Sequence, residues 1–185
     1  MIELLIVIAV LGVLAVAVLA TINPIEQINR GRDTGQRGDA EQLLSAIDRY
    51  NATQGIWPWQ IVQSDEDAVI WAGVTAIEDN GGTGCLLLDK LSQGSVACVS
   101  GADEVKSSFP ARLRGGTYNP LFMEYGGEAG DSVYVCFQPK SGAFRTEAQR
   151  RCEEVIATSQ PADFPVGADC AGCVADPAAC YICLP

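Results

Sequence analysis

Residues 1–27 read MIELLIVIAVLGVLAVAVLATINPIEQ, and the interpretation of this stretch decides the fold. Glu3 is the one charge in the first twenty residues, and residues 4–20 are all apolar or glycine. As a helix rising about 1.5 Å per residue, that run spans roughly 25 Å. This is near the thickness of a bilayer core and longer than an ordinary buried helix. A secretory signal peptide opens with positive charge, whereas the only early charge here is negative. A carboxylate at the margin of such a run has two readings. Either it is solvated at headgroup level on a plain single-span anchor, or a cationic partner holds it there, because an unpaired charge in hydrocarbon is costly.

Beyond the apolar run the pattern still reads as helix, which predicts a single long helix through the first fifty residues. Asn23 before Pro24 has the form of an N-cap followed by proline at the first helical position. Ile25 and Ile28 share a face, as do Ala40, Leu43, Leu44, Ile47 and Tyr50, at steps of three and four. Gly12 and Pro24 are the two points where this helix should weaken. Gly31, Gly35 and Gly38 each cost about 1 kcal/mol relative to alanine. They serve either close helix packing or a flexible neck. The stretch RYNATQGIWPW then ends the helix: Gly55 suits a left-handed C-terminal cap, Ile56 and Trp57 fold back, and Pro58 forbids continuation. Asn51-Ala52-Thr53 fits an N-glycosylation pattern.

Ile2, Glu3, Leu4, Leu5, Ile6 and Val7, with Gly12 following, resemble the N-terminal segment of mature type IV pilins and the related pseudopilins. Tyr50 with Gly55, Ile56, Trp57 and Pro58 resembles the close of the long helix in the same family. The family glutamate lies two residues further from the processed terminus than Glu3 does, and the family proline falls where this chain has Ala20. The first difference leads us to expect a mature chain that begins before Met1. The resemblance implies an α+β fold. A long N-terminal helix has a projecting hydrophobic half, an amphipathic half packed on a small antiparallel β-sheet head, and a disulfide-rich C-terminal loop region. The corresponding segments are 1–23, 24–54, 55–160 and 161–185. It further implies a homopolymer through helix–helix packing, assembled with an inner-membrane machinery and a prepilin peptidase after transient membrane insertion. The product is an extracellular pilus. Glu3, Gly12 and Pro24 are then assembly residues, with Glu3 neutralising the N-terminal ammonium of the next subunit. Opposite charges in a low-dielectric bundle attract strongly, and either left alone is costly, so matching them fixes register.

After residue 59 the chain is glycine-rich, with short β-like runs between turn clusters. Strands are expected at 84–88, 95–99 and 132–138, with 142–146 completing a hairpin across Pro139-Lys-Ser-Gly. Residues 64–79 read as a short helix or turn capped by Ser64. Residues 158–168 are linker-like.

All eight cysteines, Cys85, Cys98, Cys136, Cys152, Cys170, Cys173, Cys180 and Cys183, follow the apolar segment. An even count in an exported head predicts four disulfides. The expected pairs are Cys85–Cys98, Cys136–Cys152, Cys170–Cys183 and Cys173–Cys180. The tail CAGCVADPAACYIC also has C-x2-C spacing, so four thiolates holding zinc or an iron–sulfur cluster are the alternative. Covalent haem is excluded, since Val174 and Leu184 stand where histidine is needed and the chain has no histidine. No cofactor is expected.

The absence of histidine also removes Ser–His and Cys–His nucleophiles and points away from an enzyme. Asp65, Glu66 and Asp67 read as a solvated helix start, with a calcium site as the lesser option. The net charge is −11, and residues 51–185 hold 17 acidic and eight basic side chains. Such a surface repels nucleic acid, so none is expected as a partner. The alternatives to a major pilin used for adhesion, motility or uptake are two. One is a pseudopilin of a secretion or competence system; the other is a single-span protein with a disulfide-rich binding ectodomain.

Overall fold

A computed structural model of the chain describes residues 2–21, 23–64, 68–79, 81, 84–92, 98, 102–115, 119–128, 130–158, 164–165 and 170–185. Between residues 2 and 54 it forms two helices, α1 (Ile2–Thr21) and α2 (Pro24–Gln54), so the expected single helix is corrected. The division follows from the capping chemistry. Asn23 is extended, its side-chain oxygen accepts from the Glu26 N–H at 3.3 Å, and Pro24 takes the position where a missing N–H is harmless. A residue with non-helical backbone angles starts a helix afresh. At the other end α2 stops as expected, on Gly55 at φ 72°, whose N–H donates to the Asn51 carbonyl at 2.8 Å. Gly31, Gly35 and Gly38 do not interrupt α2, and each faces open space.

α1 is apolar on every side, and its described side chains, residues 2–18, are all exposed. Beyond Glu3 in the first turn the apolar run 4–20 covers about 25 Å of helix. A bilayer core is about 30 Å thick. Among the described residues no helix is long and apolar enough to cross a membrane. The expectation of a membrane-spanning helix is corrected to that of an exposed apolar one.

α2 buries Asp33, Gln36, Ala40, Leu43, Ala46, Ile47 and Tyr50 at helical spacing. Leu44 is only half-buried, and Ile25 and Ile28 stay exposed. The buried stripe faces a four-stranded antiparallel sheet. Its strands are β1 (Val69–Gly73), β2 (Leu121–Tyr125), β3 (Tyr134–Phe137) and β4 (Ile182–Leu184), neighbouring one another in that order. Met123 stands opposite Val135, and Val135 opposite Leu184. Alternation buries Leu121, Met123 and Tyr125, while Phe122 and Glu124 lie half-buried on the other face. Trp59, at the end of the α2 turn, completes the core, with its ring stacked on Trp57 at 5.3 Å.

β3 lies within the run expected to be a strand, but other expectations change. Residues 142–146 are not a hairpin strand; they begin α5 (Gly142–Thr158), whose Ala, Glu, Gln and Arg content favours helix. Within 64–79 the β-branched and aromatic run Val69-Ile70-Trp71 forms β1 in place of a helix. In 84–88 only Leu86 makes a bridge, to Glu78, before α3 (Leu87–Leu91). α4 (Ser108–Arg114) follows. The tail is not only loop: α6 (Cys170–Ala175) and a 3-10 turn at Pro177–Ala179 lead into β4. The expected strand at 95–99, apart from Cys98, and the Asp65–Glu66–Asp67 cluster lie outside the described residues.

All eight cysteines form disulfides. Cys85–Cys98 and Cys173–Cys180 are paired as expected. The other two pairs are corrected to Cys136–Cys183 and Cys152–Cys170. Strand register is the reason: β3–β4 pairing sets Cys136 directly opposite Cys183. Cys152 on α5 then meets Cys170 at the start of α6. Bonded sulfurs of this kind do not form the four-thiolate cluster that the tail spacing allows.

Candidate functional site

The three residues expected to act in assembly do not converge on one pocket; they are strung along the N-terminal helices. Glu3 is exposed in the first turn of α1. Gly12 lies nine residues on, about 14 Å along the helix, with nothing within 4 Å of where a Cβ would stand. Pro24 opens α2. Twelve Ile, Leu and Val side chains of α1 are more than half exposed. Contiguous apolar surface of this extent marks an interaction site. Burying each of these side chains yields about 1–2 kcal/mol, and all twelve about 12–24, against an association cost of about 4–15. A carboxylate carried into such a contact needs a cationic partner.

A second arrangement, not foreseen from sequence, fixes α2 to the head. Asp33 is wholly buried and accepts three donors at the start of α5. The Lys140 N–H reaches its Oδ1 at 3.0 Å, the Ser141 N–H its Oδ2 at 2.8 Å, and the Ser141 hydroxyl the same oxygen at 2.6 Å. Two helical turns earlier, Glu26 accepts from the Gly142 N–H at 3.1 Å and the Ala143 N–H at 3.4 Å. Seven residues apart, the two carboxylates lie on one face of α2; Asp33 receives the N–H groups just ahead of α5, and Glu26 the otherwise unbonded N–H groups that open it. Ser141 adds its own cap, accepting from the Phe144 N–H at 3.4 Å.

The Gly142 hydrogen bond holds the Glu26 carboxyl below the usual carboxylate range; the Ala143 N–H and Arg30 act in the same direction against desolvation. Further ion pairs join α2 to α5 through Arg37–Glu147 at 2.6 Å and to Glu104 through Arg49 at 2.8 Å. Another joins it to α4 through Asp39–Arg112. Such pairs, each still open to solvent, contribute little individually. The legible signal for the clamp was Ser141 ahead of helix-forming residues; that its cap should be completed by Glu26 and Asp33 is written in no local pattern.

Among the described residues no group of three or more acidic, cysteine or histidine side chains is arranged to hold a metal ion. The described residues present an exposed apolar helix, α1, and a head hydrogen-bonded to α2. Comparison with family models, characterised proteins and solved structures gives no match.

Proposed function

We propose that this chain is a structural subunit of an extracellular filament of the type IV pilus kind, polymerising through its N-terminal helix and serving adhesion, motility or uptake. The observation that carries the reading is α1 itself: a helix apolar all round, exposed in the single chain, with one carboxylate in its first turn. An all-apolar helix is stable only when covered, and copies of itself supply the cover. Glu3 then meets the terminal ammonium of a neighbouring subunit, and the pairing of two buried charges sets the step between copies. Four disulfides suit a head that works outside the cell. Processing by a prepilin peptidase and delivery by a pilus assembly machinery belong to the same reading.

Electron microscopy of filaments sheared from cells, with peptide sequencing of the purified fibre, tests it. Thin helical fibres composed chiefly of this chain are expected, and Glu3→Ala should abolish them without changing the melting temperature of the head. Recovery of the chain only in cell membranes, never in sheared material, refutes a major-subunit role and favours a pseudopilin.

A further inference from the structure

α2 carries two exposed surfaces that are complementary to each other. The first is a groove of about 550 Å³ bounded by α2, the approach to β3 and the end of β4. Leu44, Trp57 and Leu184 give it an apolar floor; Glu41, Asp48 and Asp131 give it three carboxylates, and its described lining holds no lysine or arginine. Asp131 accepts from the Glu128 N–H at 2.9 Å. Among the described residues Glu41 and Asp48 have no hydrogen-bond or ion-pair partner.

The second surface lies on the first turns of α2. Ile25 and Ile28 are 68% and 57% exposed, and Arg32 is exposed and likewise unpaired among the described residues. Spacings of three and four place the trio on one face. Each member precedes a groove residue by the same interval of sixteen: Ile25 and Glu41, Ile28 and Leu44, Arg32 and Asp48. Sixteen residues of helix correspond to about 24 Å along the axis and about 160° around it. The two surfaces thus point in nearly opposite directions and are offset lengthwise.

We propose that successive copies of this chain pack α2 against α2, parallel and staggered by about 24 Å. Ile28 of one copy seats against Leu44 and Trp57 of the next, and its Arg32 pairs with Asp48. This rests on the filament reading above and adds a head-level contact to the one made by α1. A second copy is the fitting occupant because the groove calls for an aliphatic group followed, one turn later, by a cation. Ile28 and Arg32 have that spacing, as do Leu44 and Asp48. A contact between two different surfaces of the same chain is heterologous; with an axial offset it cannot close into a ring and propagates as an open helical polymer.

Charge reversal in the full chain tests the contact, using polymer formed on dilution from detergent and measured by sedimentation. Arg32→Glu and Asp48→Arg should each lower pelleted polymer at least tenfold. The double variant should recover it to within twofold of wild type, and all three should keep the wild-type melting temperature, since both residues are exposed. Single variants that assemble like wild type overturn this contact, leave the filament reading intact, and are the result expected if the groove takes a basic segment of another protein. A double variant as defective as the singles also overturns it, because a true pair is restored when the two charges are exchanged. A wild-type chain that forms no polymer on its own overturns this contact as a driver of assembly, while the filament reading stands or falls on the sheared fibres.

Discussion

Asp33→Ala is the sharpest test of how α2 is keyed to the head. The substitution deletes a wholly buried carboxylate that receives three donors. The Lys140 N–H, on an exposed residue, can turn to water. The N–H and hydroxyl of Ser141 cannot, because Ser141 is itself wholly buried. A hydrogen bond to a charged group contributes about 1.5–3 kcal/mol, and a buried donor left without a partner costs about 1–3. With two donors stranded, the loss should be about 4 kcal/mol. That is a large share of a domain stability of about 5–15 kcal/mol. For a chain of this length it corresponds to a fall in melting temperature of about 8–16 °C. Asp33→Asn keeps the volume and one acceptor oxygen and should lose roughly half as much. Thermal melts followed by circular dichroism in mild detergent give the magnitude. Hydrogen exchange at the amides of residues 140–143 gives the location. A loss below about 1 kcal/mol, or a Ser141 amide that exchanges no faster than in wild type, refutes the reasoning.

Other consequences are equally open to measurement. The Glu26 carboxyl titrates below its ordinary value of 4.5 in the folded chain. Its share of stability is therefore present above that pH and lost as pH falls through the lower, folded value. Melts recorded from pH 6 to pH 3 should show a steeper acid decline for wild type than for Glu26→Gln. Removing Cys136–Cys183, whose partners are 47 residues apart, should cost about 4 kcal/mol in urea unfolding; removing Cys173–Cys180, seven apart, should cost about 2. Equal losses contradict the loop-closure argument. Gly127 has φ 88°, and a Cβ there would stand 2.9 Å from the Ala68 nitrogen, so Gly127→Ala should destabilise by about 1–3 kcal/mol. Gly130→Ala, with φ 104° but open space, should cost less in the same assay.

The parts of this fold that were readable in the sequence are those fixed by neighbours in the chain. Asn23-Pro24 and Gly55 mark the ends of α2 because caps act within three or four residues. The stripe Ala40–Leu43–Ile47–Tyr50 is legible because helical periodicity is local, and so is β3, a continuous apolar run. What failed to read was decided at a distance. β4 is three residues in a cysteine-rich tail, and only its pairing with β3 makes it a strand. The same register chose the partner of Cys136. Residues 142–146 look like a hairpin until Glu26, more than a hundred residues earlier, receives the N–H groups of Gly142 and Ala143. For the candidate site, Glu3 and the apolar helix could be found by inspection, since composition alone defines them. The clamp and the groove could not, because each is assembled from segments far apart in the chain.

The clamp also orders events in time. It joins Asp33 to Ser141 across 108 residues, and Glu26 to Gly142 across 116. Bringing such ends together costs about 4 kcal/mol of chain entropy from loop length alone. α5 thus waits for α2 to arrive before its opening turn is satisfied. Folds dominated by such distant encounters form over roughly milliseconds to seconds, whereas an isolated helix such as α1 forms in about a microsecond. In the interval a finished, exposed apolar α1 accompanies an unfinished head. In a chain that polymerises as proposed, copies that met then would associate through α1 before their heads had any surface to align them. On the filament reading we propose, orderly growth therefore depends on shelter for α1 until the slow step is over: the helix forms first, the head second, and the polymer last.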